Sequence, residues 1–144
     1  MKPEYIILHT VAKKGKTSKE EITRWHVEER GWRDFGYHYY ILKDGTVQKG
    51  RADNTPGAHC PQEGMNRRSL GICFEGHGNF ESWTKEQRAS FEDLYKDLRE
   101  EFSIPVSKVI GHKEVKGVNK DCPGTLIDMD RVRNNLSVRF EGTI

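Results

Sequence analysis

The chain has 144 residues, of which 34% are hydrophobic and 32% charged, a length sufficient for one domain with a core of its own. Its 24 basic and 22 acidic side chains give a net charge of +2 and are interleaved along the chain, so no basic surface of the kind that binds nucleic acid is indicated. We therefore expect a single domain over residues 1–144 and no nucleic-acid partner.

The first predicted element is a buried strand over residues 5–8, which are aromatic and aliphatic and end at His9. This apolar run is too short for the hydrophobic region of a signal peptide or for a membrane span. We expect a protein that is made in the cytoplasm without a signal peptide and does not insert into membranes.

A helix is predicted from about residue 19 to residue 30, with Thr17 or Ser18 as its N-cap. Gly36 then separates it from an aromatic strand at 37–42, and the Asp44-Gly45 turn predicts a hairpin into 46–48. The stretch 52–68 is rich in Gly, Pro, Asn and Arg and has no periodicity, which is typical of a long surface loop.

Predicted strands and helices also alternate in the second half of the sequence. A strand is predicted at 70–75, and Thr84 with Gln87 predicts a capping box for a helix whose apolar stripe runs from Phe91 to Phe102. A short strand at 109–110 leads to His112, and 129–136 suggests a last helix. The expected fold is an α/β domain with a mixed central β-sheet flanked by helices.

Three candidate zinc ligands, His9, His112 and Cys122, lie at predicted strand ends or in adjoining loops. Two imidazoles and one thiolate would leave the fourth tetrahedral position open for water, as in catalytic zinc sites. Their spacing matches no compact metal motif, however. Spacing alone favours the simpler interpretation, in which the two histidines are core residues and Cys122 is a small buried side chain.

Several short motifs occur together and in order. They are 7–10 (ILHT), 31–39 (GWRDFGYHY), 43–47 (KDGTV), 57–59 (GAH), 69–73 (SLGIC), 111–115 (GHKEV) and 121–124 (DCPG). Over residues 5–136 the chain resembles the type 2 N-acetylmuramoyl-L-alanine amidases, a family that includes phage amidase endolysins and animal peptidoglycan recognition proteins.

The resemblance implies one catalytic Zn²⁺ held by His9, His112 and Cys122 in a groove at the strand ends. It places Tyr37 and Lys120 in the catalytic machinery, where they could stabilise a developing oxyanion. It also places His59 near the substrate.

The remaining histidines and cysteines have simpler interpretations. His26 and His38 are expected to pack beside aromatic side chains, His77 to be exposed and Cys73 to be buried. The role of Cys60, next to His59, stays open between a spare ligand and an oxidation-prone thiol.

The function that the resemblance implies is hydrolysis of the amide bond between N-acetylmuramic acid and L-alanine in peptidoglycan. A monomeric, endolysin-like enzyme would act in the periplasm or cell wall after release from the bacterial cytoplasm. The alternatives are a non-catalytic peptidoglycan-binding module and a regulator of a partner enzyme. Because recognition proteins that only bind have lost the cysteine ligand, Cys122 favours the enzyme. The sequence does not distinguish an endolysin from a recycling amidase or a secreted effector. It also does not distinguish diaminopimelate from lysine as the third residue of the stem peptide.

Overall fold

The computed structural model describes residues 1–142 and contains a five-stranded sheet with the order β3-β2-β4-β1-β5. The strands are β1 (Tyr5–Thr10), β2 (Tyr39–Ile41), β3 (Val47–Lys49), β4 (Ser69–Phe74) and β5 (Val109–Gly111). The β2–β3 hairpin is antiparallel, whereas β2, β4, β1 and β5 are mutually parallel. The expected mixed sheet is confirmed.

In the described part of the chain, three α-helices accompany the sheet: α1 (Lys19–Arg24), α2 (Lys85–Phe102) and α3 (Met129–Leu136). Wider π-helical turns extend α1 over Trp25–Glu29 and α3 over Ser137–Glu141, and 3-10 turns occupy Gln62–Arg67, Val106–Lys108 and His112–Glu114. Over residues 1–142, no helix is both long enough and apolar enough to cross a membrane.

Local sequence signals account for most of these boundaries. The Ser18 side chain accepts a hydrogen bond from the Glu21 backbone at the start of α1, and Thr84 and Gln87 form the predicted capping box of α2. The predicted helix 19–30 is instead a short α-helix followed by the π-helical turn. The predicted strand 37–42 shortens to Tyr39–Ile41.

The two faces of the sheet carry different layers. The main core, on the face of Ile6 and Leu8, includes apolar side chains from α2 and α3. Because side chains alternate along a strand, Ile7 and His9 point to the other face. That face is covered by Ile22 from α1 and by Cys60 and Met65 from the long loop.

Candidate metal centre

The ends of β1 and β5 bring two histidines together. Leu8 pairs with Gly111 in the parallel register of these strands, so His9 and His112 are the next residues along each strand. Their ring centroids lie 4.6 Å apart. Because parallel strands end at a common edge, a contact between residues about a hundred positions apart follows from strand order alone.

Cys122 completes the cluster from the loop that follows β5. Its Sγ lies 3.7 Å from His9 Nδ1, and the ligand atoms of His9, His112 and Cys122 all lie within 4.8 Å of one another. Tetrahedral zinc with bonds of about 2.0 Å to nitrogen and 2.3 Å to sulfur would separate those atoms by about 3.5 Å. The donor set and its spacing therefore fit a zinc ion.

Backbone contacts hold the Cys122 loop against β1. The Thr10 backbone N–H donates to Cys122 Sγ at 3.4 Å, and the Thr10 hydroxyl donates to the Pro123 carbonyl at 2.9 Å. The Lys113 backbone N–H donates to the Cys122 carbonyl at 2.7 Å. The loop is thus tied both to the strand that carries His9 and to the turn that carries His112.

An ion pair positions that turn. Arg133 of α3 binds both carboxylate oxygens of Glu114, at 2.7 and 2.8 Å, and donates to the Val109 carbonyl at 3.0 Å. Glu114 in turn accepts from the Gly111 backbone N–H at 2.8 Å. This bidentate pairing anchors the His112 turn to α3.

The two imidazoles are in the protonation state that metal binding requires, whereas the thiol is not. Burial lowers the pKa of His112 to about 4, with a smaller effect from the charge of Lys120, and lowers the pKa of His9 well below its ordinary value. Both imidazoles are therefore neutral at pH 7. Burial raises the pKa of the Cys122 thiol to about 11, so metal binding must displace its proton.

The cluster opens into a groove of about 520 Å³. The lining residues that the sequence interpretation did not assign to the site include Arg30, Trp32, Gln62 and Asn66. Among residues 1–142, no acidic side chain lines the groove. The Arg30 guanidinium lies 5.1 Å from the centre of the Trp32 ring. Trp32 lies in the family-like motif 31–39, and Gln62 and Asn66 lie in the long loop, whereas no sequence pattern indicated Arg30.

Tyr37 and Lys120 both line this groove. The Tyr37 ring lies 5.0 Å from the His9 ring, and burial, together with the neighbouring Cys73 and Cys122, raises the pKa of the Tyr37 phenol well above its ordinary value. The phenol therefore keeps its proton at neutral pH and can act as a hydrogen-bond donor. Lys120 is exposed at the groove.

His59 also lines the groove, but only 8% of it is exposed. Its Nδ1 lies 2.9 Å from His9 Nε2, and its Nε2 lies 3.4 Å from the Ser69 hydroxyl. Burial lowers the pKa of His59 to about 3, so its ring is neutral. The substrate contact expected for His59 stays a prediction, whereas its contact with His9 was not foreseen from the sequence.

The other candidates stand apart from the cluster. The His26 ring packs 4.5 Å from the Trp32 ring, as expected, whereas His38 is fully buried and lies between the Thr55 carbonyl and the Gly71 backbone N–H. The expectation that His77 is exposed was wrong, because it is half-buried against Phe80.

Cys73 is buried as expected. Cys60 is also buried, and its thiol faces Gln62 rather than joining the three ligands.

Sequence comparison places this geometry among known proteins. Residues 1–125 match the family described as N-acetylmuramoyl-L-alanine amidase. The endolysin of Enterobacteria phage K11 is 36% identical over 108 residues, a match covering 72% of this chain and 67% of that protein. Peptidoglycan-recognition protein SC2 of Drosophila melanogaster is 34% identical over 112 residues, covering 77% of this chain but only 59% of that protein.

Comparison with solved structures agrees with the sequence comparison. The N-acetylmuramoyl-L-alanine amidase LysC from Clostridium intestinale superimposes with a TM-score of 0.83 at 34% sequence identity. The superposition covers 94% of this chain and 86% of LysC. The similarity therefore extends over the sheet, the helices and the loops that carry the cluster.

Proposed function

The chain belongs to the N-acetylmuramoyl-L-alanine amidase family, and on that basis we propose that it cleaves the amide between N-acetylmuramic acid and L-alanine in peptidoglycan with one bound zinc ion. The enzyme class follows from the family match and from the phage and clostridial relatives. The observation that carries the zinc dependence is the convergence of His9, His112 and Cys122 within 4.8 Å.

When bound, zinc supplies a Lewis acid and a water nucleophile at neutral pH. The chain supplies the rest of the chemistry. The protonated Tyr37 hydroxyl can donate a hydrogen bond to the carbonyl oxygen of the scissile amide as negative charge develops on it. Lys120 brings a positive charge to the same groove, and that charge stabilises the same developing anion.

The open groove suits a polymeric substrate. Its floor is the strand edge with the ligands, and its walls come from residues near the end of α1, from the long loop and from the loop of Lys120. A glycan strand with its stem peptide can lie along such a groove without entering a closed cavity. We place the action of the enzyme on peptidoglycan in the periplasm or cell wall, in keeping with its endolysin relatives.

A peptidoglycan-binding module is the second candidate, because the Drosophila relative is a recognition protein. The assembled ligand set favours catalysis over binding alone, since a groove that only binds has no need of a half-buried thiol beside two neutral imidazoles. Release of products distinguishes the two functions.

The direct test is digestion of purified Gram-negative peptidoglycan, with the products identified by mass spectrometry. We expect release of stem peptides that begin with L-alanine, loss of this activity with a chelator, and recovery with zinc. Intact peptidoglycan that retains the protein would identify a binding module instead.

Substitution of the cysteine ligand tests the metal assignment. Cys122→Ala should lose both zinc binding and hydrolysis, because two histidines alone leave the zinc without its thiolate. The matched control is Cys60→Ala, which removes a buried thiol that contacts Gln62 and is not part of the three-residue cluster, and which should keep one zinc per chain. Zinc content is measured by atomic absorption, and full activity in Cys122→Ala would contradict the assignment.

A further inference from the structure

The orientation of the His9 ring is set by a contact outside the metal cluster. His9 Nδ1 faces Cys122 Sγ at 3.7 Å, and His9 Nε2 lies 2.9 Å from His59 Nδ1. A hydrogen bond between two neutral imidazoles needs one protonated nitrogen and one bare nitrogen. Which of the two is bare decides whether His9 Nδ1 can bind a metal.

The position of that proton follows from Ser69. The Ser69 hydroxyl donates to the Met65 carbonyl at 2.7 Å, so its oxygen is left to accept from His59 Nε2 at 3.4 Å. His59 therefore carries its proton on Nε2 and has a bare Nδ1. This Nδ1 can only accept, so His9 must donate from Nε2, and His9 Nδ1 is left bare toward Cys122.

The backbone is built around the His59 ring. A Cβ placed on Gly71 would lie 2.7 Å from His59 Cγ, and one on Gly57 would lie 2.5 Å from His59 Cδ2, so the ring occupies space that only glycine leaves at both positions. The Asn66 side chain accepts from the backbone N–H groups of His59 and Cys60, both at 2.8 Å. The ring therefore fits closely against the backbone at Gly57 and Gly71, and Asn66 fixes the backbone that carries it.

We propose that His59 is a positioning residue: through the Ser69–His59–His9 hydrogen bonds it holds His9 as the Nε2–H tautomer and presents His9 Nδ1 to the metal. The inference rests on the proposed zinc site and assigns His59 a role other than the expected substrate contact. Histidine ligands commonly donate their second ring N–H in this way, although usually to a carboxylate or a carbonyl. Here an imidazole with a determined tautomer takes that place.

The tautomers can be read directly in the full chain without zinc. Two-bond ¹H–¹⁵N correlation spectra of the ¹⁵N-labelled protein at pH 7.5 distinguish protonated from bare ring nitrogens. We expect Nε2–H for both His9 and His59. In Ser69→Ala, which keeps both rings but removes the acceptor for His59 Nε2–H, we expect His59 to populate both tautomers. Finding Nδ1–H on His9 in the wild-type chain would overturn the proposal.

Zinc affinity provides the second measurement, by competition with a chelating dye. His59→Leu keeps an apolar body without an acceptor and should bind zinc about 10- to 100-fold more weakly, the usual loss when a hydrogen-bond partner of a ligand is removed. His59→Asn places an acceptor oxygen near the position of Nδ1 and should recover most of that loss. The proposal fails if His59→Leu binds zinc as tightly as the wild type, or if His59→Asn binds zinc as weakly as His59→Leu.

These measurements are independent of catalysis. Failure of the amidase assignment would appear as zinc binding and the expected tautomers without hydrolysis of peptidoglycan. Failure of the positioning role would appear as normal hydrolysis and zinc affinity in His59→Leu. Unfolding of the zinc-free variants by urea separates a loss of stability from a loss of affinity.

Discussion

At the scale of single residues, the side chains around Tyr37 determine the protonation state of its hydroxyl. Its ring packs against His9 and His26, at 5.0 and 5.6 Å, and the raised pKa keeps its hydroxyl protonated. We expect Tyr37→Phe to retain the fold and one zinc per chain but to lose turnover by roughly a hundredfold to a thousandfold, the usual loss of one oxyanion donor. The rate of peptidoglycan hydrolysis and the zinc content are measured for Tyr37→Phe and for the wild type. Normal turnover would make Tyr37 a packing residue.

Lys120 has a matched control in its own loop. Lys120 lines the groove and Lys116 is exposed outside it. Lys120→Gln should lower turnover on the order of a hundredfold, because a positive charge near the developing anion is lost. Lys116→Gln carries the same change in net charge and should leave turnover within about twofold, as is usual for surface substitutions away from a site. Equal losses in both variants would point to general attraction of the anionic wall.

At the scale of elements, the loop of Cys122 depends on a close backbone approach. A Cβ on Gly78 would lie 1.8 Å from the Pro123 carbonyl oxygen, and Gly124, with φ +130°, lies directly opposite. This contact, together with the Leu126 backbone N–H donating to the Gly78 carbonyl at 2.9 Å, docks one loop on the other. The thiol position is therefore decided partly by a segment that contains no ligand.

Gly78→Ala should accordingly weaken zinc binding without touching a ligand. The added methyl group must displace the Pro123–Gly124 backbone, which costs roughly 1–3 kcal/mol of stability and moves the neighbouring Cys122. Gly15→Ala is the control: its φ of +83° brings some backbone strain, but nothing lies within 4 Å of the added Cβ. Chelator competition measures both variants, and unchanged zinc affinity in Gly78→Ala would show that the loop adapts.

At the scale of the whole molecule, burial of histidine makes stability depend on pH. His26 and His38 lie outside the ligand cluster, and burial lowers the pKa of His26 to about 4 and that of His38 below its ordinary value. As the pH falls below 6.5, the unfolded chain takes up these protons before the folded chain does. The stability that these neutral rings contribute is therefore fully present above pH 6.5. It is lost as the pH falls toward the folded-state pKa.

We expect the free energy of unfolding of the zinc-free protein to fall between pH 6.5 and pH 4, by up to about 1.4 kcal/mol per pH unit for each such histidine. Urea unfolding at a series of pH values measures this slope. His26→Gln should have a shallower slope over the same range. If the free energy of unfolding has the same pH slope in both proteins, the folded state does not lower the pKa of His26.

The sequence by itself determined the features that depend on near neighbours. The capping box of Thr84 and Gln87, the Asp44-Gly45 turn and the strand that ends near His9 are encoded within a few residues, and each is present in the structure. The family-like motifs also predicted that His9, His112 and Cys122 come together, although spacing alone could not separate His9 from a core histidine.

Tertiary structure decided the contacts between distant segments. Cys122 lies 113 residues from His9 in the chain, and their approach depends on strand order and on the docking of one loop against another. The same holds for His59, which lies in a loop without periodicity and whose tautomer is set by Ser69 at the start of β4. Such contacts depend on how packed layers place loop residues, and no local pattern of residue types encodes that placement.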